Sequence, residues 1–423
     1  MFVIRDPLWS TIPVEPFARQ LIDTPAFQRL RSVRQLGLAY LVYPGATHSR
    51  LEHALGTYHL SGRALGLLEQ SGSLDDDARA DAGVVRAAAL LHDIGHYPFS
   101  HALEEIGARH HEEVAQPLVT SGPIADHLRN ALGHDAPARV MDLIRGRSRS
   151  PLQGLISGSL DLDKIEYLRR DILMCGVSHV GVDADRLLTS MVIVADPVTG
   201  QRRIGIIEKG LAALESLLFA KYQMYRNVYW HHAVRSATLM YMKVVGEALA
   251  AGALHADALP SYTDDTLLGF LEHQYPSELL AALRTRRLYK RSFECPAAQL
   301  DDGDCEWIAE DRPLVEAVQA ALERELRLAP GSVLVDYPAK TEMLGLDIPL
   351  LRRDGSTVRL DARGWTGSID LPKLSHELYR SARWLRVFTA ERTRIEAAPL
   401  LRFLRRPAGE VRAMVESGRA LLS

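Results

Sequence analysis

The sequence predicts a mainly α-helical protein with a smaller α+β lobe towards its C-terminal end, and three observations carry that expectation. From residue 15 to about residue 250, apolar side chains recur at three- and four-residue spacing, the period of a helix with one buried face. Beyond that point the texture changes, and short runs such as "SVLVDYP" and "LDIPLLRRDGSTVRL" alternate as strands do. The composition is that of a chain with a sizeable core: 423 residues, 47% apolar and 24% charged. The expected division is a helical catalytic core over residues 1–245 and an α+β lobe over residues 246–423 that contributes to oligomerisation.

The N-terminal "MFVIRDPLWSTIP" places Arg5, Asp6 and prolines where a signal peptide would need an apolar run. In "LEHALGTYHLSGRALGLLEQ", Leu51, Leu55 and Tyr58 fall along one helical stripe. Breaks are expected at "YPGATHS", "QSGSLDDDARADAG", "GHDAPA" and "ADPVTGQRR", where Gly, Pro and Asp interrupt the pattern. The apolar run from Val84 to Leu91 reads as a buried helix, and "VIVADPVTGQRRIGII" as a small hairpin. Further on, "TDDTLLGFLEHQYPSELLAALRTRRLYKR" is helical in pattern, and Asp354-Gly355 marks a turn between two strands. No internal repeat or low-complexity tract is evident, and no segment reaches the roughly 18 uninterrupted apolar residues of a membrane span.

Fifty Lys+Arg against 53 Asp+Glu give a formal charge of −3, so no global field favours nucleic acid or an anionic membrane. The basic stretches "RTRRLYKRSF" and "RFLRR" are explained more simply as solvated helix faces than as nucleic-acid contacts. Cys175, Cys295 and Cys305 have no zinc-type spacing, and their odd number argues against a disulfide framework; a reducing cytoplasm is the simplest location.

The stretch "AALLHDIGHYPFSH" ends a buried helix with His92, Asp93, His96 and His101. A lone His-Asp pair is weak evidence. It gains weight because His53 upstream and Asp163 downstream also fall on helical segments. Two imidazoles and two carboxylates make a mixed N/O set suited to one divalent transition metal, Mn, Fe, Co, Ni or Zn, with coordination positions left for water and substrate. Arg50, three residues before His53, can present a guanidinium to phosphates. His96 and His101 follow the pair, with Glu104 and His111 at distances that can orient His101 for proton transfer. His110 reads as a surface residue.

Taken in order, "DTPAFQRLRSVRQLG", "VYPGATHSRLEHALG", "LLHDIGHYPFSH", "HHEE" and "DLDKIEYLRRD" resemble the HD-domain phosphohydrolases, in particular their deoxynucleoside triphosphate triphosphohydrolase branch. The likeness is specific over residues 1 to about 240 and looser over "RTRRLYKR" and the later hairpin. It implies a helical HD-domain core with His53, His92, Asp93 and Asp163 as metal ligands, Mg accompanying the transition metal at most. It implies an acid/base relay of His101 with Glu104 and His111, and release of nucleoside and inorganic triphosphate from a dNTP in one step. By the same resemblance, Lys164 binds phosphate, Tyr167 and Asp171 contact sugar and phosphate, Tyr229 packs on deoxyribose, and Gln35 with Leu36 reads the sugar 3′-hydroxyl. Lys221 and Tyr225 stand where an animal member has arginine and histidine, which puts the nucleotide preference in doubt because lysine lacks arginine's bidentate fork.

Asp23, Gln28 and Arg31 match residues that hold an activating nucleotide between subunits of that animal enzyme, whereas Phe2 and Asn227 replace two of its cations. A helix cap followed by an ion-paired helix explains the same three residues equally well. The expectation is therefore a cytoplasmic, metal-dependent dNTP triphosphohydrolase assembled as a dimer or tetramer. The alternatives are another HD phosphohydrolase, such as a nucleotidase or phosphodiesterase, or a nucleotide sensor or nucleic-acid-binding protein with little turnover.

Overall fold

The computed structural model describes residues 2–339, 345–361 and 371–422. It is mainly helical with small sheets, as expected. Two compact units divide the chain, and each is discontinuous in sequence. The first comprises Met1–Met224, Ala256–Leu268 and Leu344–Pro372; the second comprises Tyr225–His255, Gly269–Met343 and Lys373–Ser423.

The first unit opens with a hairpin that periodicity did not announce. Strands β1 (Phe2–Asp6) and β2 (Ser10–Val14) pair, among the described residues, only with each other, from Phe2 opposite Val14 to Asp6 opposite Ser10. Short helices α1 (Pro16–Ile22) and α2 (Pro25–Arg29) follow, each with proline in its first turn, where the missing N–H costs nothing. Helix α3 (Arg50–Gln70) starts at a capping box: Ser49 Oγ accepts from the Glu52 amide, and Glu52 accepts from the Ser49 amide at 2.6 Å. Leu51, Leu55 and Tyr58 are buried along it as their spacing predicts.

Helix α4 (Asp76–Leu91) begins inside the stretch expected to be a break, because Asp75 caps it by accepting from the Ala78 amide. Its last turns bury Val84, Val85 and Ala87 to Leu91. Helices α5 (His111–Thr120), α6 (Gly122–Leu132), α7 (Ala136–Ile144), α8 (Leu162–Cys175), α9 (Ala184–Ser190) and α10 (Leu211–Met224) follow.

The expected hairpin is β3 (Met191–Ala195) with β4 (Arg202–Ile207). The Asp354-Gly355 turn joins β7 (Ile348–Leu351) to β8 (Thr357–Leu360), but these strands return to the first unit. Strand β7 pairs in parallel with β4, giving a sheet ordered β3-β4-β7-β8.

In the second unit, a π-helical turn at Tyr225–Tyr229 precedes α11 (His232–Ala250). Strands β5 (Lys290–Pro296), β6 (Val333–Asp336) and β9 (Trp384–Thr389) form an antiparallel sheet ordered β5-β9-β6, whose core includes Val318, Leu322, Val333, Leu385 and Phe403. In its basic stretches Arg284 pairs with Glu272, Arg291 with Glu294 and Arg406 with Glu410. No helix among the described residues is long and apolar enough to cross a membrane.

Candidate metal centre and adjoining cavity

Three pieces of chain deliver four donors to one point. His53 projects from the first turn of α3, His92 and Asp93 follow the last turn of α4, and Asp163 lies in the first turn of α8. His53 Nε2 stands 3.1 Å from His92 Nε2, 2.9 Å from Asp163 Oδ1 and 3.6 Å from Asp93 Oδ2. His92 Nε2 stands 3.5 Å from carboxylate oxygens of both Asp93 and Asp163.

The tautomers are fixed from behind. His53 Nδ1 lies 2.6 Å from Glu166 Oε2, and His92 Nδ1 lies 3.0 Å from the Ala89 carbonyl. Both acceptors take the Nδ1 proton, so two Nε2 lone pairs are turned towards each other and towards carboxylates. A cation between them resolves that repulsion. Nitrogen and oxygen ligands about 2.0–2.2 Å from one ion stand roughly 2.9–3.6 Å apart, the spacing found here. Electrostatics agree: burial works to lower the His53 pKa, but hydrogen bonds to Asp163 and Glu166 outweigh it and raise it to about 10. The field that would hold a proton there also favours a metal ion.

Asp93 is tied from its other side. Arg50, itself buried, donates from Nη1 to Asp93 Oδ2 at 2.5 Å and from Nε to Ser100 Oγ at 3.1 Å. Burial would raise the Asp93 pKa, but Arg50, His92 and His96 bring it well below the carboxylate range. The donors open into a cavity of about 280 Å³ lined by Gln35, Arg50, His96, His101, His111 and Tyr167, among others. Gln35 is buried, and its Oε1 has no hydrogen-bond partner among the described residues, so this wall offers an unused acceptor. Leu36 follows it at the start of a 3₁₀ turn.

The expected relay residues come together on the cavity wall. Glu104 bridges two imidazoles, with Oε1 2.8 Å from His111 Nδ1 and Oε2 3.2 Å from His101 Nδ1; it also accepts the His111 amide at 3.1 Å. Burial would raise the Glu104 pKa, but the two histidines lower it below the usual range. His96 stacks on His111 with centroids 3.9 Å apart and sits 3.1 Å from Asp93 Oδ1. Burial, with Arg50 and His111 nearby, holds His96 well below the usual imidazole range, and burial likewise lowers His111. His110 is an exposed helix cap, as expected of a surface residue.

Backbone approach places this relay. A Cβ on Gly95 would lie 2.1 Å from the His111 carbonyl oxygen and 2.5 Å from the Ala115 nitrogen, so only glycine lets α5 close onto the His-Asp loop. Phe99 and Ser100 have φ of 57° and 62°, and Asp264 Oδ1 and Oδ2 accept the Phe99 and Arg34 amides at 2.8 and 3.0 Å. Burial raises the Asp264 pKa to about 6.

Other expected site residues fall elsewhere or are engaged. Lys164 points its ammonium at Asp161 (2.5 Å) and the Gly158 carbonyl (2.9 Å). Tyr167 sits edge-on to His53, whereas Asp171 is buried 2.8 Å from His48 Nε2, a histidine the sequence reading did not single out. Lys221 is half-buried near the end of α10. Tyr225 and Tyr229 belong to the second unit; the π-helical turn widens the register that predicted one face, and their rings meet at 5.0 Å.

Asp23 ends α1 beside Arg19 at 3.6 Å, while Thr24 caps α2. Arg31 donates to Gln28 Oε1 at 3.1 Å, and Gln28 Nε2 to the Ile22 carbonyl. Glu166 and Gly95 were missed altogether. Glu166 had a signal, because it lies three residues after Asp163 and so shares its helix face.

The two imidazoles and two carboxylates at the ends of three helices form an N/O donor set that could hold a divalent metal ion of the kind used in metal-assisted hydrolysis. The chain belongs to the HD-domain phosphohydrolase family: residues 50–152 match the HD domain and residues 182–363 the HD associated region. An uncharacterized protein of Methanocaldococcus jannaschii is 36% identical over 291 residues, 69% of this chain and 59% of its own length. The deoxynucleoside triphosphate triphosphohydrolase SAMHD1 of Bos taurus is 25% identical over 408 residues, 82% of this chain and 66% of that protein. The chain thus spans less than two thirds of either relative. A solved hypothetical protein from Aquifex aeolicus, 26% identical, superposes over 100% of both chains with a TM-score of 0.72.

Proposed function

We propose that this chain is a metal-dependent dNTP triphosphohydrolase, releasing deoxynucleoside and inorganic triphosphate. The observation that carries the reading is the convergence of His53, His92, Asp93 and Asp163 beside a cavity also lined by His101 and His111, which Glu104 bridges. A divalent ion held by those four residues would supply Lewis acidity that polarises a phosphoryl oxygen and acidifies water. The likeness to a dNTP triphosphohydrolase supports the choice of substrate class.

The chain's own groups take the remaining roles. Arg50 lines the cavity and, with Lys164 and Lys221, holds phosphate oxygens. Glu104 holds the Nδ1 faces of His101 and His111, leaving Nε2 of each for proton transfer. Water adds to the α-phosphorus, the bond to the ribose 5′-oxygen breaks, and His101 protonates that oxygen as triphosphate is released. Gln35 offers its unused Oε1 to a ligand hydroxyl.

The test is incubation of the protein with Mn²⁺ or Mg²⁺ and each dNTP and NTP singly, then in pairs, with products resolved by chromatography and mass spectrometry. Deoxynucleoside plus triphosphate is expected. Monophosphate plus pyrophosphate would refute attack that expels the 5′-oxygen, and turnover only with mixed pairs would point to an activating nucleotide at Asp23, Gln28 and Arg31. No product under any condition would refute the reading.

A further inference from the structure

We propose that the N-terminal hairpin is a working part of the metal centre: Glu166 is the positioning residue that fixes ligand His53, and Arg170 and Asp6 extend that control to β1. The inference rests on the metal-centre reading but not on the identity of the nucleotide.

The chain of contacts is continuous and buried. Glu166 is wholly buried; its Oε2 takes His53 Nδ1 at 2.6 Å, while Oε1 takes the Trp9 indole N–H at 2.9 Å and Arg170 Nε and Nη2 at 2.9 and 2.7 Å. Arg170, equally buried, places Nη1 3.0 Å from Asp6 Oδ2. Asp6 Oδ1 in turn accepts the Leu8 and Trp9 amides at 2.9 and 2.8 Å, closing the turn that follows β1. Helix α3 is cut away to admit this carboxylate, since a Cβ on Gly56 would lie 2.0 Å from Glu166 Oε1.

Every donor on Oε1 matters to His53. A glutamine at 166 would keep its single oxygen for Trp9 and Arg170 and turn its amide N–H₂ towards His53 Nδ1. That nitrogen would then accept, its proton would move to Nε2, and the face directed at Asp163 would be blocked for a metal. Glu166 therefore sets the tautomer rather than merely filling space.

The coupling must also run outward. Strands β1 and β2 form a sheet of two strands, and an isolated two-stranded hairpin is marginal in water. Its order depends on docking, which Asp6 and Trp9 provide through Arg170 and Glu166. If a docked hairpin favours the ligating form of His53, a bound metal must by reciprocity favour the docked hairpin.

The experiment uses the full chain stripped with a chelator and reloaded with Mn²⁺. Hydrogen exchange over residues 2–14 is expected to slow on reloading, more than exchange at strands β5, β6 and β9 of the second unit. In competition with a chromophoric chelator, Glu166→Gln is expected to bind Mn²⁺ about 10–100-fold more weakly than the parent, with Glu166→Asp between them. Imidazole ¹⁵N shifts should report a proton on His53 Nδ1 in the metal-free parent and none on that nitrogen in Glu166→Gln. Parent-like affinity in Glu166→Gln, or hairpin exchange indifferent to metal, overturns the proposal. If Glu166→Gln does not fold, the parent's exchange alone decides. A parent without saturable Mn²⁺ binding would overturn the metal centre itself, and this coupling with it.

Discussion

Replacing Gly95 with alanine tests how the relay is positioned, because the added carbon has nowhere to go. It would lie 2.1 Å from the His111 carbonyl oxygen, 2.5 Å from the Ala115 nitrogen and 3.0 Å from the Ala115 Cα, all backbone atoms of α5. A carbon–oxygen contact relaxes only at about 3.3 Å, so α5 must retreat by roughly 1 Å. The His111 Nδ1 contact with Glu104, now 2.8 Å, would then pass beyond hydrogen-bond range.

Overpacking of this kind costs about 1–3 kcal/mol, and each kcal/mol lowers the melting temperature of a unit this size by roughly 2–4 °C. A displacement of about 1 Å in a catalytic group costs on the order of 10²-fold in rate. The assays are calorimetry and Mn²⁺-dependent dNTP hydrolysis, with Gly66→Ala as control, since nothing lies within 4 Å of a Cβ there. The control is expected to melt at or slightly above the parent, because alanine is the better helix former. A Gly95→Ala chain that melts and turns over like Gly66→Ala would refute the reasoning.

Asp163→Ala removes one of the four convergent donors, and we expect Mn²⁺ affinity and hydrolysis to fall together; calorimetric titration retaining parent affinity would contradict the assignment. Glu104→Gln removes the charge that holds His101 and His111, so kcat should fall by about 10²-fold, the lower end of acid–base effects, with KM little changed and the alkaline limb of the pH–rate profile moved to lower pH. Burial, together with His232, Arg386 and Arg291, lowers His231 to about 4, and its Nδ1 caps α11 by accepting the Ala233 amide at 3.3 Å. A histidine with a depressed folded pKa contributes stability that is complete above its unfolded value of 6.5 and is lost as pH falls towards about 4. His231→Asn keeps a capping oxygen without titrating, so its melting temperature should decline less than the parent's between those values; parallel curves would exclude His231 as the source.

What the sequence disclosed follows from the range over which each determinant acts. The stripe at Leu51, Leu55 and Tyr58 and the wall from Val84 to Leu91 are local patterns, and both are buried as read. The four donors were legible because histidine and aspartate beside an apolar helix are chemically conspicuous. Glu166 shares the helix face of Asp163, but its meaning depends on Trp9 and Arg170 arriving at the same carboxylate, one of them 157 residues away. Gly95 was silent for a similar reason: the atom that forbids a side chain belongs to a helix that begins later. The contact of the Lys164 ammonium with Asp161 was likewise outside what spacing beside a candidate ligand could show. The spacing of Lys221, Tyr225 and Tyr229 assumed an α-helix, which the π-helical turn does not continue.

The two returns of the chain to the first unit bear on how such a protein can be inherited. A crossover near residue 245 would look harmless, since it falls where the sequence texture changes. It would nevertheless join the native Arg34 and Phe99 amides to a foreign counterpart of Asp264, and the native edge of β4 to a foreign β7. Chimaeras cut there should lose soluble yield in proportion to divergence at those pairs, so the two halves of the gene are bound to change together.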